Sequence, residues 1–64
     1  METYTYDITI PFTYDVDRAG ISADETIKFL EVNPGIRINS VGIIDTPNAE
    51  ETEIVLTITI EYEN

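Results

Sequence analysis

Residues 3–16 read Thr-Tyr-Thr-Tyr-Asp-Ile-Thr-Ile-Pro-Phe-Thr-Tyr-Asp-Val, and no other stretch restricts the fold as tightly. Every even position is apolar or aromatic: Tyr4, Tyr6, Ile8, Ile10, Phe12, Tyr14 and Val16. Every odd position is polar or proline. A period of two held over so long a run specifies a β-strand with one buried and one wet face. The same period returns over 53–63. There Ile54, Leu56, Ile58, Ile60 and Tyr62 face one way, while Glu53, Val55, Thr57, Thr59, Glu61 and Glu63 face the other.

The middle of the chain changes period. Ser22 and Glu25 form an S-x-x-E capping box, which predicts a helix over about 23–32 with Ser22 as its N-cap. Pro34 ends it, because the residue before a proline leaves the helical region. Asn33-Pro34-Gly35-Ile36 suits a type II turn. At about 100° per residue, Ala23, Thr26, Ile27 and Leu30 share one helix face, and Phe29 points largely away from it. Phe29 is then either tucked under a neighbouring loop or exposed for a partner. Residues 36–44 predict a second strand in which Ile36 and Ile38 are out of phase with Val41 and Ile43. Such a slip marks a bulge or bend, at Gly42 or at Asn39-Ser40.

The expected fold is therefore a single α+β domain in the order β-α-β-β. Its three-stranded antiparallel sheet has the order 1-3-2, and one helix packs on one face. Pro11 cannot donate to a ladder, which puts the first strand at an edge and the last in the centre. A ten-residue helix covers about 15 Å. A straight strand of thirteen residues spans roughly 43 Å. The excess needs a bend at Pro11, the loops, or a second subunit. Tyr4, Tyr6 and Tyr62, together with Phe29, are the candidates for an apolar interface, and a homodimer is expected.

Composition excludes several functions. A chain of 64 residues has material for one small core, and with neither cysteine nor histidine it has no disulfide, thiolate or imidazole chemistry. Ser22 is assigned to a cap, Ser40 has no evident activating base, and the carboxylates lie on wet faces. An enzyme is not expected, and no cofactor is implied. Asp15, Asp17 and Gly20 match the start of an EF-hand loop, but Ala19 and Thr26 stand where ligands are required. The Asp15–Asp17 pair is thus only a weak metal candidate. The Thr-x-Thr rows of the polar face are ordinary strand composition, interrupted by Asp7 and Glu61.

Thirteen acids stand against Arg18, Lys28 and Arg37, a net charge of −10 distributed over both halves. Direct nucleic-acid binding needs clustered Lys or Arg and is not expected, nor is binding to an anionic membrane. No apolar run approaches the ~20 residues of a membrane span. Met1-Glu2 opens no signal-peptide pattern, so a cytoplasmic location is expected.

A protein partner with a basic surface is the remaining possibility. Its acidic candidates are Asp15, Asp17, Glu50, Glu51, Glu53, Glu61 and Glu63. Alternate acids on a strand sit roughly 6.6 Å apart, near the spacing of successive phosphates. In size and charge the chain resembles small phage-encoded inhibitors of restriction or CRISPR enzymes, which implies an inhibitor or adaptor that mimics nucleic acid in the host cytoplasm. The alternative is a structural, assembly or antitoxin-like dimerisation module that uses the sheet aromatics and Phe29.

Overall fold

A computed structural model describes all of residues 1–64. The elements are β1 (Glu2–Pro11), α1 (Arg18–Val32), β2 (Arg37–Pro47) and β3 (Glu53–Glu63). They form a three-stranded sheet of order β1-β3-β2, with both pairings antiparallel. This is the expected α+β architecture. β3, the cleanest alternating strand, takes the central place. Four of its even residues, Ile54, Leu56, Ile58 and Ile60, are the only fully buried side chains, so the core is a single row along one strand. Each contributes roughly 1.5–3 kcal/mol by leaving water.

The first strand is shorter than its alternation predicts. β1 ends at Pro11 because its partner ends there, with Pro11 opposite Glu53 at the start of β3. Phe12 makes one further bond, its N–H donating to the Thr52 carbonyl at 3.0 Å. The Asp15 N–H then donates to Thr13 Oγ1, and the chain bends away from the sheet. Phe12 and Val16 stay half-buried over this end of the core, whereas Tyr14 is exposed.

The helix begins five residues earlier than expected, and its cap is Asp17, not Ser22. Asp17 Oδ1 accepts the Gly20 N–H at 3.0 Å. Gly20 costs the helix about 1 kcal/mol of propensity, and the cap returns a similar amount. A Cβ at Gly20 would land on the Asp17 carboxylate, so a larger residue there displaces the cap. Ser22 lies inside the helix and donates to the Ala19 carbonyl. At the other end, Asn33 donates from its backbone and its side chain to the Phe29 carbonyl. Gly35 has φ +91°, as the second central residue of a type II turn requires.

β2 runs three residues beyond its expected end, to Pro47. The phase slip is a bulge at Asn39, where the pairing jumps from Ile38 opposite Tyr62 to Ser40 opposite Glu61. Asn48 then organises the loop to β3. Its Oδ1 accepts the N–H groups of Thr52 and Glu53, and its Nδ2 donates to Thr52 Oγ1. Glu51 takes the left-handed conformation there, at φ 55°.

Candidate interaction surfaces

The helix backbone lies over β2 and β3, and it meets β1 only through side chains, chiefly Phe29 against Tyr4. Of the face expected from periodicity, Ala23, Thr26, Ile27 and Leu30, only Thr26 points inward. Ile21, Ser22, Glu25, Thr26 and Phe29 are half-buried, whereas Ala23, Ile27, Leu30 and Val32 are exposed. Phe29 is the anchor, and aromatic rings of the sheet pack against it. Its ring stacks on Tyr4 with centroids 4.7 Å apart and meets Tyr62 edge-on at 5.1 Å. Tyr4 in turn stacks against Tyr6 at 6.3 Å. Such pairs contribute about 0.5–1.5 kcal/mol beyond the area they bury. The sheet supplied a partner that helix periodicity alone could not reveal.

The four residues named for an apolar interface, Tyr4, Tyr6, Phe29 and Tyr62, are therefore one cluster, and much of it is satisfied within the chain. Two of its members are not finished: Tyr4 is 38% and Tyr6 42% exposed. Between them and the helix runs an open groove of about 310 Å³. Tyr4, Tyr6, Phe29 and Val32 give it an apolar lining, to which Glu25, Lys28 and Asn33 add polar groups. Lys28 donates to Glu25 at 3.2 Å, and this bond holds the ammonium pKa above its ordinary value.

Below the groove runs the free edge of β1. Hydrogen-bonded and non-bonded pairs alternate along an antiparallel ladder. The Phe12 N–H points to β3, so the even residues of β1 bond inward. The odd residues Thr3, Thr5, Asp7 and Thr9 aim their N–H and C=O groups outward. Pro11 falls on the outward set, where its missing N–H costs the ladder nothing. By the same alternation the Asn48 N–H, bonded to the Glu53 carbonyl, places Pro47 on the outward side of β2.

The acidic candidates do not form one surface. Asp15, Asp17, Glu50, Glu51 and Glu53 gather at the sheet end where β1 stops and β3 starts. Glu61 and Glu63 lie near the opposite end of β3. Only this second pair keeps the alternate strand spacing, and both of its carboxylates are engaged. Ser40 donates to Glu61 at 2.7 Å, and Arg37 to Glu63 at 2.8 Å. Asp17 is the helix cap. Tyr14 reaches Glu51 with a long bond of 3.5 Å. No group of three His, Cys, Asp or Glu side chains is placed to hold a metal ion, and the weak candidate pair Asp15 and Asp17 has no third ligand.

Arg18 makes two bonds to Asp45, at 3.1 and 2.7 Å, and so ties the start of the helix to β2. The guanidinium holds the Asp45 carboxyl below its usual range. No helix is long and apolar enough to cross a membrane. The sequence matches no protein-family model, no curated protein and no solved structure.

Proposed function

We propose that this chain is a non-enzymatic protein-interaction module that works as an assembly or adaptor subunit. Its binding surface is the groove between α1 and β1 together with the free edge of β1. One observation carries this: Tyr4 and Tyr6 stand side by side, both more than a third exposed, above a strand edge with unused backbone donors and acceptors. Aromatic anchors beside an open strand edge are the two elements of recognition by strand addition. The test is capture from the producing cell with mass-spectrometric identification, comparing wild type with Val32→Glu. Val32 is 80% exposed, so the substitution leaves the fold intact and puts a charge in the groove wall. Partners lost from Val32→Glu but retained in 500 mM salt support the groove; partners unaffected by Val32→Glu count against it.

A second reading rests on the acidic end of the sheet. Five carboxylates gather there, and the nearby Arg18 is committed to Asp45. This end suits a basic partner protein, and an inhibitor that mimics nucleic acid is its sharpest form. Binding there weakens steeply from low to moderate salt. Glu50→Lys with Glu51→Lys abolishes it and leaves groove binding unchanged.

A further inference from the structure

We infer that the occupant of the β1 edge is a second copy of this chain, paired β1 to β1 antiparallel about a two-fold axis through Tyr6. The inference rests on the groove and edge being the binding surface. Both edges of the sheet are open, and they are not equivalent. β2 carries the Asn39 bulge, and bulges twist an edge away from further pairing. β1 pairs with β3 without interruption from Glu2 to Pro11. It has no lysine or arginine and only Glu2 and Asp7 as charges. It lacks the usual protection of a free edge, although Pro11 closes its far end.

The outward groups narrow the register. Two copies can bond only through their odd residues. Placing Tyr6 opposite Tyr6 of the second copy sets Thr5 against Asp7 and Thr3 against Thr9. All eight of those residues retain their N–H, so about eight inter-chain hydrogen bonds form. Shifting the axis to Asp7 gives a similar number but sets the two Asp7 carboxylates directly opposite each other, which is destabilising. It also spends a pairing on Pro11, which has no N–H to give. With the axis at Tyr6 the two Asp7 side chains are diagonal neighbours, about 7–8 Å apart. Tyr6 meets its copy as a non-bonded pair, where Cα atoms approach to about 4.5 Å, and each Tyr4 faces the other copy's Ile8. The two grooves join into one apolar strip between the helices. The aromatics that one helix leaves uncovered are thereby covered. The result is a six-stranded sheet, a common remedy for a core as thin as one row of four side chains.

The charge makes the inference testable against the acidic reading. Two chains of −10 repel, so self-association tightens as salt rises, the reverse of binding to a basic partner. Sedimentation equilibrium from 5 to 200 µM is expected to show the mass doubling from 7.2 kDa, at lower concentration in 500 mM than in 50 mM NaCl. Thr5→Pro removes one outward N–H and no ladder bond to β3, and is expected to weaken the dimer at least tenfold. Cross-linking reads the register without depending on that variant. In this cysteine-free chain, Tyr6→Cys is expected to oxidise rapidly to a disulfide dimer, since the paired Cα distance falls in the disulfide range, and Asp7→Cys more slowly. A mass of 7.2 kDa throughout, or a dimer indifferent to both Thr5→Pro and Tyr6→Cys, overturns self-pairing. Faster cross-linking of Asp7→Cys than of Tyr6→Cys overturns the register. A monomer whose partner capture still depends on Val32 overturns self-pairing alone and leaves the module with another occupant.

Discussion

Asp17 and Gly20 act as a unit, and neither can be valued alone. Asp17→Ala removes the helix cap and is expected to cost about 1 kcal/mol. Gly20→Ala improves helix propensity by up to about 1 kcal/mol, yet its methyl group displaces the Asp17 carboxylate, so in the wild type it is expected to be close to neutral. In the Asp17→Ala background, where nothing is left to displace, the same substitution is expected to stabilise. Urea denaturation of the four proteins measures this coupling; simple additivity of the two effects would falsify the account. Asp45 supplies a second residue-scale test. Its folded pKa lies below the ordinary value because of Arg18. Its contribution is therefore fully present above the unfolded carboxylate range and lost as pH falls through the folded value. The stability gap between wild type and Asp45→Asn is expected to be constant above about pH 5 and to close progressively below about pH 4. A gap that persists at pH 2 would remove the ion pair as its cause.

At the scale of elements, the helix tests how a face is chosen. Phe29 is wedged between Tyr4 and Tyr62, whereas Ile27 is 54% exposed. Phe29→Ala is expected to cost about 2 kcal/mol, below the range for fully buried aromatics because the site is only half-buried. Ile27→Ala is expected to stay within about 0.5 kcal/mol. Thermal or urea denaturation that reverses this order would restore the face suggested by helical periodicity. That periodicity misled because the inward face, with Ser22, Glu25 and Thr26, is more polar than the outward one. What decides the packing is an aromatic pair 25 and 33 residues away in sequence, at Tyr4 and Tyr62. The strands were legible for the opposite reason. A period of two is read locally, and Ile54 to Ile60 announce the central strand unaided. The end of β1 was not, since Phe12, Tyr14 and Val16 keep the alternation after the partner strand has run out. The helix start was hidden because Gly20 reads as a breaker until Asp17 is seen to bond its N–H.

For the whole molecule, charge and shape act against each other. The fold is elongated, 41 × 18 × 15 Å, which lets its acids spread along the sheet rather than crowd a compact surface. Their places depended on strand order and loop course, which is why single residues such as Glu61 and Glu63 could be named from sequence while their separation from Glu50 and Glu51 could not. A net charge of −10 on so small a core lowers the stability of the compact state through self-repulsion. The repulsion is greatest where Asp15, Asp17, Glu50, Glu51 and Glu53 share one end. Glu50→Lys combined with Glu51→Lys is therefore expected to raise the melting temperature in 20 mM salt. In 500 mM salt, where the Debye length falls to a few ångströms, most of that gain should vanish. Replacing the same number of acids at the opposite end, with Glu61→Lys and Glu63→Lys, breaks the bonds to Ser40 and Arg37. It is expected to yield a smaller gain or a loss. Equal gains at both ends would mean that net charge alone sets the effect and that the clustering at the β1–β3 end has no energetic consequence.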